Sequence, residues 1–156
     1  MTPFSIVPLG IRDINSVYHL EQDVFPLDAY PYLDLAIMLL TPGMRNLKAV
    51  NPANEFLGFI AVADVWMRPD LRPAWVITLG VGRNYQNQGI GGQLLREAES
   101  QIRARQIRLT VRRSNTAAIH LYDRSGYIHL QTHPAYYRNG EDGLIMQKHV
   151  NHTDGV

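Results

Sequence analysis

The stretch Trp75 to Gly92, WVITLGVGRNYQNQGIGG, constrains the chain more than any other. Val76 to Val81 is a short apolar run rich in β-branched residues and predicts a buried strand. Gln86 to Gly92 is polar and glycine-rich, and it runs directly into Gln93-Leu94-Leu95, where helical spacing begins. Strand, glycine loop and helix together form an anion-binding arrangement, because the first turn of a helix leaves N–H groups unpaired and adds partial positive charge. Glycines at 89, 91 and 92 keep side chains away, so a pyrophosphate can approach the backbone.

Two phosphate-binding loops do not fit. A P-loop needs Lys-Ser/Thr after its last glycine, where this chain has Gly92-Gln93. A dinucleotide fingerprint needs G-x-G-x-x-G close to the strand end, where this chain offers only Gly89-Ile90-Gly91-Gly92 after a polar lead-in. What remains is Gln86-x-x-Gly89-x-Gly91. This resembles the acetyl-CoA loop, Q/R-x-x-G-x-G/A, of the GNAT superfamily of N-acetyltransferases.

The 156 residues suffice for one domain with a real core, expected over residues 1–150, with 151–156 as a frayed tail. A net charge of +1 gives no reason to expect nucleic acid or a membrane surface as partner. The absence of cysteine excludes disulfides, thiolate metal sites and a cysteine nucleophile. MTPFSIVPLGIRD lacks a signal-peptide pattern, and the apolar run Leu35 to Leu40 is too short to span a bilayer, so a cytoplasmic protein is expected. Among the six histidines, His129 and His133 are four apart on a strand and loop with no third ligand, so no metal is expected.

Periodicity and turn residues predict a strand over Phe4 to Leu9 and a helix from an Asp13 cap to Asp23, broken by Phe25-Pro26. A second helix over Tyr32 to Leu40 follows, then a hairpin of Leu47 to Val50 and Phe56 to Trp66. Arg68 to Pro73 is a loop leading into the central strand. Beyond the glycine loop come a helix to about Arg105, an alternating strand from Ile107 to Val111, and a short helix from Ser114-Asn115 to Gly126. Two closing strands, Tyr127 to Gln131 and Leu144 to Lys148, flank a loop from Pro134 to Gly143, and a tail begins at His149. The order βααβββαβαββ indicates an α/β or α+β sheet of about seven strands with helices on both faces.

The resemblance extends along nearly the whole chain. IRLTVRRSN (Ile107 to Asn115), AAIHLYDRSGY (Ala117 to Tyr127) and Tyr136-Tyr137 with Gly140-Glu141-Asp142 are similar to segments of ribosomal-protein-alanine and archaeal N-terminal acetyltransferases. Val24-Phe25-Pro26 and Ile77-Thr78-Leu79-Gly80 resemble the peptide-binding and strand segments of a methionine-directed N-terminal acetyltransferase. The resemblance implies a mixed, mostly antiparallel GNAT sheet and acetyl-CoA as cosubstrate. Backbone groups of Gln86, Asn87, Gln88, Gly89, Ile90, Gly91 and Gly92 would surround the pyrophosphate. Those of Leu79, Gly80 and Val81 would hold the pantetheine arm, with an N–H near Val81 facing the thioester oxygen. Asn115 would start the fourth helix and touch the CoA arm.

Tyr122 matches the family tyrosine that protonates the CoA sulfur, a role that suits a phenol still protonated at neutral pH. The departure is Thr110, where relatives carry a glutamate or histidine base. Threonine has no useful basicity, which leaves Glu21, Glu141 or His133 through water, or an α-amine already partly neutral. Phe25, Pro26, Leu27 and Tyr30 would line one side of an acceptor groove, Trp75 and Ile77 its floor, and Tyr136-Tyr137 its other wall. The expected acceptor is a protein or peptide N-terminus. The alternatives are a small amine, such as a polyamine, aminoglycoside or amino acid, and a CoA-binding module without turnover. The protein would act as a monomer or homodimer, by direct attack in a ternary complex.

Overall fold

The computed structural model describes residues 1–64 and 72–152. Most of the expected Arg68–Pro73 loop, the end of the expected strand at Trp66, and tail residues 153–156 therefore lie outside the described residues. The element order is β1 (Ser5–Pro8), α1 (Ile14–Val24), α2 (Tyr32–Leu40), β2 (Met44–Val50), β3 (Phe56–Ala63), β4 (Ala74–Val81), α3 (Ile90–Gln101), β5 (Gln106–Arg112), α4 (Thr116–Arg124), β6 (Ile128–His133) and β7 (Gly143–His149). This is the order read from the sequence. The described strands form a seven-stranded sheet in the order β1-β2-β3-β4-β5-β7-β6, in which β4 and β5 pair in parallel. The β1–β2, β2–β3, β5–β7 and β6–β7 pairs are antiparallel. Contacts divide the chain into two compact units, Met1–Ala63 with Ile77–Ile102, and Asp64–Val76 with Arg103–Val156.

In the first unit β3 is buried from Leu57 to Val62, so both faces of this strand are covered. Phe59 and Ala61 pack in one cluster with Val17 of α1 and Leu35 and Met38 of α2. Successive side chains of a strand alternate in direction, which turns Ile60 and Val62 to the opposite face. There α3, whose buried residues include Leu94, Leu95 and Ala98, covers β1, β2 and β3. Phe25 and Pro26 end α1, since a proline ring excludes the next helical turn, and Phe25 N–H still reaches Glu21 O at 2.8 Å.

Asp13 sits at the expected cap position of α1 but makes no capping bond. Its carboxylate instead accepts Gly10 N–H at 3.0 Å and pairs with Lys48 of β2 at 2.6 Å. The hairpin of β2 and β3 forms as expected, with a register shift at Ala49/Val50. A Cβ on Gly58 of β3 would stand 2.7 Å from Gly80 O of β4, nearer than real Cβ contacts allow. Gly58→Ala is expected to destabilise the protein by about 1–3 kcal/mol through overpacking. A urea midpoint unchanged from the parent would refute that.

In the second unit β5 buries Ile107, Leu109 and Val111 and pairs with β7 over its whole length. Buried Asp64 accepts the N–H groups of Arg103 and Ala104 at 2.8 and 3.3 Å, which fixes the chain after Ile102. Val150 N–H donates to Arg105 O at 2.8 Å and His152 bonds Ala104 O at 2.9 Å, so residues 149–152 are tied down rather than frayed. No helix of the described residues is long and apolar enough to cross a membrane.

Candidate acetyl-transfer site

The glycine loop lies in the first unit between β4 and α3, as the spacing predicts. Gly89 caps α3 with φ +82°, and no side chain caps the helix. The first turn of α3 contains no acidic residue. Asn87 also has positive φ, at 60°, while Gln88 between them does not, and this alternation turns successive N–H groups to one side. Gln93 N–H closes the first helical bond on Gly89 O at 3.0 Å, so Ile90, Gly91 and Gly92 occupy the donor positions of the first turn. No described atom outside its chain neighbours comes within 4 Å of a Cβ placed on Gly89. These donors, the absent cap and the open space fit a pyrophosphate group.

The loop's polar side chains serve as its braces. Gln86 Nε2 donates to Val81 O at 3.1 Å. Gln88 accepts Thr2 N–H at 2.8 Å and donates to Asn84 O at 3.4 Å. Gly82 N–H reaches Leu57 O at 2.8 Å, which fastens the start of the loop to β3. Leu79, Gly80 and Val81 form the end of β4, where a Cβ on Gly80 would press on Leu20 and Phe25.

Five of the acceptor candidates, Phe25, Pro26, Leu27, Tyr30 and Ile77, lie in this unit. Phe25, Pro26 and Leu27 form the turn after α1, where Ala29 N–H reaches Phe25 O at 2.8 Å, and Leu27 stands exposed. Tyr30 and Ile77 line one pocket of about 330 Å³. Beside them lies Glu21, which is 1% exposed. Thr78 Oγ1 donates to Glu21 Oε1, and Tyr30 N–H donates to Oε2 at 3.3 Å. The carboxylate thus ties β4 to the turn before α2. Burial raises its proton affinity, and Asp28 adds to the rise, against the two hydrogen bonds that favour ionisation.

That shift has a definite sign. A carboxyl bound more tightly to its proton in the fold than in the unfolded chain gains stability as pH falls from its folded pKa towards about 4.5. Glu21→Gln is therefore expected to flatten this part of the stability–pH profile. An identical slope in denaturant midpoints would show that Glu21 is not its source.

The second unit holds the remaining candidates. Asn115 Oδ1 accepts Ala118 N–H at 3.2 Å and caps α4 as read from the sequence. Tyr122, two turns into α4, is 8% exposed and lies edge-on to Tyr127 with centroids 5.7 Å apart. Burial, and then the neighbouring Tyr137, push its phenol well above the ordinary tyrosine range, so it holds its proton at neutral pH. Trp75 is half-buried and pairs with Arg108 in the short parallel ladder of β4 and β5, which also joins Ala74 to Ile107. Tyr136 is half exposed and meets Tyr137 edge-on at 4.9 Å, while the Arg112 guanidinium lies 4.1 Å from the Tyr137 ring centroid.

The three candidate bases separate clearly. Glu141 accepts Ser114 N–H at 2.8 Å and pairs with Arg112 at 2.9 Å, and these partners hold its carboxyl below the usual range. It fastens the loop and makes a poor proton acceptor. His133 is exposed and lies edge-on to Tyr136 at 5.2 Å. Glu21, by contrast with Glu141, carries raised proton affinity. Thr78 was not singled out from the sequence. The available signal was Glu21 itself, an acid four residues after Val17 on the buried stripe of α1, which must find a donor. Among the described residues there is no group of three side chains suited to holding a metal.

Residues 14–127 match the acetyltransferase (GNAT) family. The chain is 39% identical over 117 residues to the N-alpha-acetyltransferase RimI of Mycobacterium tuberculosis, covering 69% of this chain and 73% of that protein. It superposes on the ribosomal-protein-S18-alanine N-acetyltransferase of Escherichia coli with a TM-score of 0.81 at 25% identity, covering 99% of each chain. Arabidopsis thaliana NAA60 in complex with acetyl-CoA shares the fold, with a TM-score of 0.83 at 20% identity over 95% of this chain and 100% of that one. A loop whose backbone donors fit a pyrophosphate, in a chain matched to this family over most of its length, gives the identification: the chain belongs to the GNAT family and is an N-acetyltransferase with acetyl-CoA as its cosubstrate.

Proposed function

We propose that this enzyme acetylates the α-amine of a protein or peptide N-terminus. The observation that carries this reading is the likeness over 99% of the chain to an enzyme named for acting on the alanine of ribosomal protein S18. The loop from Pro134 to Asp142 supports it. Glu141, Asp142 and Arg112 brace this loop with half-exposed Tyr136 on it, an aromatic surface suited to an extended peptide.

Acetyl-CoA brings a thioester whose carbonyl carbon accepts a neutral amine and whose sulfur departs. The first turn of α3 and the loop from Asn87 to Gly92 hold the pyrophosphate through backbone N–H groups. Backbone groups of Leu79 to Val81 hold the arm and polarise the carbonyl oxygen. Tyr122 gives its hydroxyl proton to the departing sulfur. The amine nitrogen gives up one proton as the amide forms, which keeps the balance.

Thr110 supplies no base at the family's strand position, and an α-amine needs less help than a lysine because it titrates near pH 8. Turnover is therefore expected to rise with pH through the α-amine range. The test measures thiol release and acetyl transfer across N-terminal peptides, polyamines, aminoglycosides and free amino acids. A peptide preference of at least about tenfold in kcat/KM, about 1.4 kcal/mol, is expected. Turnover on small amines alone would overturn the reading.

A further inference from the structure

The pocket beside α2 bears on which peptide the enzyme takes. Ile37, Met38, Met44 and Ile77 give it an apolar wall, and Tyr30 and Asp34 supply its polar groups. Ile37 and Tyr30 are exposed, so the pocket opens to solvent. The remaining hydroxyl of the lining, on Thr41, is already donated to Ile37 O at 2.6 Å. Asp34 is exposed and is the one charged group of the lining, and none of the lining residues is basic. Among the described residues, no cation pairs with it.

Its distance from the chemistry follows from strand geometry. A strand rises about 3.3 Å per residue, so Ile77 stands roughly 7–13 Å before Leu79 to Val81. An extended acceptor chain has nearly the same rise. With its α-amine at the thioester, a peptide lying along β4 brings its third to fifth residue to the pocket.

We propose that this pocket selects the acceptor by taking a lysine or arginine side chain from positions 3 to 5 of the peptide, its aliphatic stem against Ile37, Met38 and Met44 and its cation at Asp34. The inference rests on the peptide reading above. The pairing of an apolar wall with a single rim carboxylate matches the two parts of such a side chain.

The experiment compares kcat/KM for peptides with the same first residue that carry lysine, alanine or glutamate at positions 3 to 5. The parent enzyme is expected to favour lysine over glutamate by about three- to fivefold, as for an exposed ion pair, with the preference shrinking as salt rises. Asp34→Asn should remove the preference, and Asp34→Lys should reverse it. Asp34 also lies in the first turn of α2, where a carboxylate complements the helix dipole. Circular dichroism melts therefore accompany each variant. Lowered stability with an unchanged lysine-to-glutamate ratio would assign Asp34 to the helix alone and overturn the proposal. Acetylation of every peptide without preference would overturn the proposal and leave the peptide reading intact. Turnover confined to small amines would remove both.

Discussion

Gly89→Glu is expected to weaken acetyl-CoA binding by a hundredfold or more while leaving the protein folded. Two effects act together. Gly89 holds φ +82°, a conformation that costs an ordinary residue roughly 1–2 kcal/mol, so any side chain here brings strain. Glutamate adds negative charge where the loop collects N–H groups for a phosphate. A Cβ on Gly89 meets no described atom beyond its chain neighbours within 4 Å, so the side chain leaves the backbone into open space and does not crowd the fold at its root. Gly89→Ala separates the two effects, since it carries the strain without the charge and should retain most of the binding. Calorimetric titration with CoA on both variants makes the comparison. Normal CoA binding by folded Gly89→Glu would show that the pyrophosphate lies elsewhere.

The features legible in the sequence are those whose cause is local. Gly89 and its neighbours needed only the knowledge that a glycine-rich turn opens a helix. Alternation in Ile107, Leu109 and Val111 fixed β5, and Asn115 ahead of an apolar helix announced its own cap. The errors come from partners far along the chain. The helix expected to run to about Arg105 stops at Gln101, and Asp64, some forty residues earlier, takes the N–H groups of Arg103 and Ala104. Asp13 is the residue type of a cap, but Lys48 and Gly10 claim its oxygens. In the same way β2 begins at Met44, three residues before the apolar run of Leu47 to Val50, because Met44 to Asn46 pair with Ala63 to Ala61 of β3. Glu21 was visible as a candidate. Its tie to Thr78 was not, since 57 residues separate them.

Tyr122→Phe is expected to lower kcat by about a hundredfold and to leave acetyl-CoA affinity within a factor of two, the range for loss of a general acid. The substitution removes one oxygen from a ring packed edge-on against Tyr127, so the packing of α4 survives. The proton affinity of Tyr122 bears on how the acid works. Burial and Tyr137 disfavour its phenolate, so the hydroxyl is fully protonated wherever the enzyme operates, and transfer to sulfur is uphill for an isolated phenol. A phenolate formed in that setting would retake a proton, and the reaction itself releases one from the nitrogen that forms the amide. Tyr122 would then both protonate the sulfur and receive the proton that no residue at Thr110 can take. The acid limb of the kcat–pH profile should accordingly follow the acceptor's α-amine, with no alkaline fall from Tyr122 below pH 10. Equal turnover by Tyr122→Phe would remove it as the acid. A fall in kcat with a matching loss of acetyl-CoA affinity would instead make Tyr122 part of the binding wall.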